Sequence, residues 1–144
     1  MKQGSPNILI IGAGPAGITA AIQLKRYGLM TTLLEKEHVG GLVRNANLVE
    51  NYPGFPEGIT GPRLIALLEK QIRRIGVDVN FDEVKCLKFE DGWLAETIKV
   101  AYRPDVVIIA TGTKPKLLPV EVPEQAKNRV FSEVWPMADL ENQH

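Results

Sequence analysis

The run Asn7-Ile8-Leu9-Ile10-Ile11-Gly12-Ala13-Gly14-Pro15-Ala16-Gly17 decides how the rest of the chain is read. Its first five residues are mostly branched and apolar and stop at a glycine, the pattern of a short buried strand closed by a turn. From Ala16 to Tyr27 nothing breaks a helix, and Gly28 stands where a helix C-terminus takes a glycine. Between strand and helix the glycines fall as GxGxxG. Alone that motif is weak, because glycine-rich turns are common. Its place between a strand and a helix is what gives it meaning. Gly12 permits the tight turn, Gly14 lets the backbone approach a pyrophosphate, and Gly17 lets the helix pack close to the strand. The start of the helix then turns unpaired N–H groups and the positive end of its dipole toward the phosphates.

Working outward, Thr31 to Leu34 is a second strand, and Glu35 ends it, 18 residues after Gly17. This fold places an acid there to hold a ribose. A carboxylate accepts hydrogen bonds from both ribose hydroxyls and repels a 2′-phosphate, which argues against NADP at this position. Glu35 is expected at the domain surface, so that stability without ligand should depend little on it. The plain alternative is a βαβ unit with an acid there by chance.

Val39 to Ile59 reads as a long loop, with Gly40, Gly41, Gly54, Gly58, Pro53 and Pro56 along it; loops of that length in compact domains are usually functional or disordered. Gly61 to Ile75 is a helix with Leu64, Ile65, Leu68, Ile72 and Ile75 on one face and Gly76 after its end. Val77 to Phe81 is a third strand. Val84 to Phe89 and Trp93 to Tyr102 flank Asp91-Gly92, a hairpin signal, and the second run is long enough to bend or to hold two strands. Val106 to Ala110 is an apolar strand closed by Thr111-Gly112. The fold class is therefore α/β: a Rossmann-like dinucleotide-binding domain over 1–112, with parallel order 3-2-1 and the 106–110 strand beyond strand 1. An antiparallel hairpin or meander from about 84 to 102 should cover one face. Residues 113–144 hold four prolines and no glycine, and read as a strap or linker.

Composition narrows the function. Lys plus Arg equals Asp plus Glu, at 17 each among 144 residues. Zero net charge gives no long-range attraction for nucleic acid or an anionic membrane. No run approaches the ~20 apolar residues of a membrane span, and Met1 to Asn7 lacks a signal-type stretch, so a cytoplasmic protein is expected. Cys86 is the sole cysteine, which excludes an intrachain disulfide, a CxxC pair and a cysteine zinc cluster. Cys86 reads as strand packing and His38 as exposed. Phe131 and Trp135 read equally as packed or as an exposed patch. No nucleophile–base arrangement or metal cluster is seen, so no catalytic residue is assigned.

Further residues carry a resemblance. Ala21 and Gly28 extend the first motif to GxGxxGxxxAxxxxxxG, and Glu35 with Gly40-Gly41 gives ExxxxGG. Gly40-Gly41-Leu42, then Val49-Glu50-Asn51-Tyr52-Pro53-Gly54-Phe55-Pro56-Glu57-Gly58, and the apolar strand ending Ala110-Thr111-Gly112 complete the set. Together they closely resemble the thioredoxin reductase branch of the pyridine nucleotide-disulfide oxidoreductases. The resemblance implies FAD as cofactor. It implies Gly12, Gly14, Pro15, Ala16 and Gly17 along the pyrophosphate and Glu35 on the adenosine ribose. Gly40, Gly41, Leu42 and Asn51 would lie along the ribitol and flavin. Val84 would meet the adenine through its backbone, and Ala110, Thr111 and Gly112 would pass beneath the cofactor. The family's second GxGxxG, its closing Gly-Asp strand and its CxxC have no counterpart here. The sequence thus points to the opening, FAD-binding portion of a flavin-dependent NAD(P)H oxidoreductase. A homodimer partner or a second chain would supply the NAD(P)H-binding half. The competing readings are a non-catalytic nucleotide-binding or interaction module and an NAD-binding domain.

Overall fold

The protein's structure, a computed structural model, describes residues 5–114 and 121–129. The chain divides into two units, Met1–Gly112 and Thr113–His144. Among the described residues of the second, Glu124–Arg129 form a 3-10 turn carrying a Lys127–Glu124 ion pair at 2.5 Å. Phe131 and Trp135 lie outside the described residues.

In the first unit the elements run β1 (Asn7–Ile11), α1 (Pro15–Arg26), β2 (Met30–Glu35), a 3-10 turn (Gly41–Asn45), α2 (Gly61–Ile75), β3 (Val79–Phe81), β4 (Val84–Phe89), β5 (Trp93–Thr97), β6 (Ala101–Tyr102) and β7 (Val106–Ile109). β1, β2, β3 and β7 form a parallel sheet in the order β3-β2-β1-β7. β4, β5 and β6 form an antiparallel meander. The α/β class, the 3-2-1 order and the place of the 106–110 strand are as expected, and of the two readings of the 93–102 run the structure takes the one with two strands.

Strand alternation builds three layers. Ile8 and Ile10 of β1, Leu33 of β2 and Ile108 of β7 point to one face. There they join Ile18, Ala21 and Ile22 of α1 and Leu64, Leu68 and Ile72 of α2. Leu9, Leu34 and Val107 point the other way and meet Ala95, Leu87 and Tyr102 of the meander. A residue such as Leu9 or Leu33, fully buried, costs about 2–5 kcal/mol when cut to alanine. One slip in register would send both sets to the wrong layer.

Two boundaries differ from expectation, for identifiable reasons. β3 begins at Val79 rather than Val77. The Val77 N–H is taken by the Ile72 carbonyl at 3.0 Å and the Gly76 N–H by that of Arg73 at 3.2 Å, a Schellman closure of α2 that takes the Val77 N–H from the sheet. The 39–59 stretch is also more ordered than a plain loop. Beyond its 3-10 turn, Val49 and Ile59 pair antiparallel, with N–H···O distances of 2.8 and 3.0 Å. Among the described residues no helix is long and apolar enough to cross a membrane. Cys86 is half-buried in β4 and His38 is exposed.

Candidate dinucleotide site

α1 and α2 connect β1 to β2 and β2 to β3 on one face, and β7 then joins the other side of β1. The chain's direction across the sheet reverses between β1 and β7. Open α/β sheets hold ligands at such a switch point, beyond the carboxyl ends of the strands. The glycine turn lies there, and its three glycines do three different jobs.

Gly12 takes φ 104°, which L side chains rarely adopt, and gives its N–H to the Leu34 carbonyl at 2.8 Å. A Cβ on it would sit 2.4 Å from the Ala110 carbonyl oxygen and 3.1 Å from the Thr111 Cα. A Cβ on Gly17 would stand 1.9 Å from the Gly12 carbonyl oxygen. Both are glycine because the protein itself fills the space. Gly14 is different: its φ of −73° suits any residue, and a Cβ there would meet nothing within 4 Å. It is the N-cap of α1, makes no side-chain cap bond, and is followed by Pro15 and by a first turn without acid. The first N–H groups of that helix have no intrahelical acceptor. The space in front of Gly14 is therefore open, lined by backbone and electropositive.

The second glycine pair closes against the first. The Gly40 N–H donates to the Ala13 carbonyl at 2.8 Å, and Gly40 lies where a Cβ would run 2.5 Å from Ile65 of α2. A Cβ on Gly41 would stand 3.7 Å from the Gly14 Cα. The backbone of the second glycine pair thus comes close to that of the first. The 3-10 turn that follows is held by the Gly61 N–H on the Ala46 carbonyl at 2.8 Å.

Glu35 corrects the expectation of a surface acid. It is 9% exposed, and its carboxylate is already engaged. Oε2 accepts the Ala13 N–H at 2.8 Å and Oε1 the Glu37 N–H at 3.1 Å. The group ties the glycine turn to the end of β2. A carboxylate has about four lone-pair sites, so acceptor capacity for two hydroxyls remains.

Gly12, Gly14, Gly17, Glu35, Gly40, Gly41, Ala110 and Thr111 thus come together, with the Ala110 N–H on the Ile11 carbonyl at 2.8 Å. Pro15 and Ala16 open α1, and Gly112 follows Thr111 on the exposed side. Leu42 is 44% exposed within the 3-10 turn, and Asn51 is exposed beyond Val49. Val84 starts β4 with its side chain packed in the meander-side core, so only its backbone could meet a ligand. Sequence reasoning missed Ala13, Ile65, Asp82 and Thr97. Their types and spacing gave no hint of these roles, because each acts through a partner distant in the chain. Asp82 is buried beside Glu35, its N–H on the Glu35 carbonyl at 2.9 Å. Burial alone would raise its carboxyl pKa. The Thr97 hydroxyl, the Glu83 N–H and the Lys99 ammonium together outweigh that and hold it below its ordinary value.

Residues 6–141 match the family described as Pyridine nucleotide-disulphide oxidoreductase. The chain is 41% identical over 127 residues to a 34.2 kDa protein in the rubredoxin operon of Clostridium pasteurianum, covering 87% of this chain and 41% of that protein. It is 41% identical over 120 residues to the thioredoxin reductase of Peptoclostridium litorale, covering 77% and 36%. Its structure is similar to that of Lactococcus lactis thioredoxin reductase, with TM-score 0.77, 32% identity and coverage of 85% and 40%. The T. acidophilum thioredoxin reductase gives TM-score 0.75, 35% identity and coverage of 85% and 40%. The chain spans about two fifths of the length of the proteins it matches.

Proposed function

The chain belongs to the pyridine nucleotide-disulphide oxidoreductase family, and on that premise we propose that it is the FAD-binding portion of a flavin-dependent NAD(P)H oxidoreductase of thioredoxin reductase type. The observation that carries this reading is Gly14. The fold has no steric or conformational need of glycine there, so the residue is explained by something that must lie against the backbone. A pyrophosphate in that space takes the N–H groups at the start of α1. Glu35, one strand over, takes the adenosine ribose without releasing Ala13 or Glu37. Gly40, Gly41, Leu42 and Asn51 run along the other half of the cofactor, and Ala110 to Gly112 lie beneath it. When bound, the flavin supplies the redox chemistry, and the protein supplies position and electrostatics.

Residues 1–112 form the binding domain and 113–144 a strap. An NAD(P)H-binding half acts with them, in the cytoplasm. Without that half, hydride donor and flavin are not held in contact, and positioning is worth on the order of 7–11 kcal/mol for well-oriented reactants. The test is threefold: flavin absorbance of the purified chain, its solution mass, and NAD(P)H oxidation with added FAD. Flavin binding with no enzyme-like turnover is expected. A protein that takes up no FAD would remove the reading, and enzyme-like NAD(P)H turnover by residues 1–144 alone would remove the need for that half.

A further inference from the structure

β3 ends on Phe81, paired with Glu35, and Asp82 extends that pairing by donating its N–H to the Glu35 carbonyl. The Asp82 carboxylate is then gripped. Oδ1 accepts the Glu83 N–H at 2.9 Å and Oδ2 the Thr97 hydroxyl at 2.5 Å. The turn between β5 and β6 adds two more ties. The Ile98 N–H donates to the Glu83 carbonyl at 3.2 Å, and the Lys99 ammonium to the Phe81 carbonyl at 2.7 Å. That turn is closed in its own right by the Thr97 N–H on the Val100 carbonyl and the Val100 N–H on the Thr97 hydroxyl, both at 2.9 Å. The backbone from Phe81 to Glu83 is therefore held from the meander side by a buried carboxylate and its partners.

The position matters as much as the bonding. The open space at Gly14 lies off the end of β1, Glu35 ends β2, and the next step in the same direction is the end of β3. A nucleotide with its phosphates at Gly14 and its ribose on Glu35 would carry its base toward the end of β3.

We propose that Asp82, acting through Thr97 and with Lys99, is a positioning residue that holds the 82–84 backbone in the shape that reads the edge of adenine, and so makes the site selective for an adenine nucleotide. The proposal rests on the dinucleotide reading above. At neutral pH Asp82 is an anion and accepts both bonds, and the same partners hold its carboxyl below its ordinary value.

The experiment measures ADP and IDP affinity by calorimetry on the full chain, since the two bases differ only along the edge concerned. The parent should prefer ADP. Thr97→Val should weaken ADP about 10-fold, the worth of one charge-assisted bond, and leave IDP within about twofold, so that the ratio collapses. Thr97→Ser should restore it. Lys99→Met, at an exposed position, carries the same comparison if the valine variant does not fold. A role confined to stability would lower both affinities in parallel. An ADP-to-IDP ratio equal to the parent's in Thr97→Val or Lys99→Met overturns the proposal alone. A parent that binds neither nucleotide overturns the dinucleotide reading and this inference with it.

Discussion

The two ends of the cradle are held by different means. At the phosphate end, Gly12 to Gly17 owe their shape to backbone lying against backbone: Gly12 on Ala110, Gly17 on Gly12, Gly40 on Ala13. At the far end, residues 81–83 owe much of theirs to side chains: the Asp82 carboxylate, and Thr97 and Lys99 reaching across from the meander. Backbone packing tolerates no added atom and ignores pH. A side-chain network tolerates substitution in graded steps and depends on ionisation. The first kind of site is written in a motif, and the second is not.

The sharpest way to break this contrast is at Gly17. Gly17→Val places a side chain into the Gly12 carbonyl, and forcing atoms into a packed region costs about 3 kcal/mol or more. Chemical denaturation should show a protein largely unfolded or strongly destabilised. A stable Gly17→Val protein would mean that the turn yields, and the distinction between the two ends would fall.

Gly14→Val, three residues away, should do the reverse. Nothing in the protein contests the new side chain, and a poor N-cap costs about 1 kcal/mol at most. The variant should keep its circular dichroism spectrum while ADP and FAD binding drop below detection. Retained binding in a folded variant would put the pyrophosphate elsewhere.

Glu35 stands between the two ends and should show both behaviours. Glu35→Ala leaves the buried Ala13 N–H without its acceptor, at about 1–3 kcal/mol of stability. It should also weaken ADP by about 10- to 100-fold. Equal affinity in parent and variant would remove Glu35 from the ribose, whatever happened to the melting temperature.

The smallest effect is the pH dependence at Asp82. Its carboxyl is held below the ordinary 3.8 by Thr97, Glu83 and Lys99 against the opposing effect of burial. A depressed carboxylate contributes stability above its unfolded pKa, and loses it as pH falls through the folded one. The parent's thermal advantage over Asp82→Asn should thus be constant from neutral pH down to about 4 and shrink below that. An advantage that persists in strong acid would show that charge is not what holds the turn.

What could be read from the residues alone was whatever depends on neighbours in sequence. The strand-glycine-helix order of 7–28, the apolar face of 61–75, the Asp91-Gly92 hairpin and the acid closing β2 are local patterns, and local patterns survive without knowledge of the fold. The start of β3 and the internal order of the 39–59 loop escape such patterns, because a Schellman closure takes the Val77 N–H and a Val49–Ile59 bridge ties the loop to itself. Tertiary structure alone decided which glycine serves the protein and which serves a ligand. All three stand in one motif, and only the space around each tells them apart: Ala110 against Gly12, Gly12 against Gly17, nothing against Gly14. It alone decided that Glu35 is buried and bonded rather than waiting at the surface, and that Asp82 lies beside it with Thr97, 15 positions along the chain, at its carboxylate. Those facts depend on which strands the sheet brings together, and distance in space has no trace in spacing along the chain.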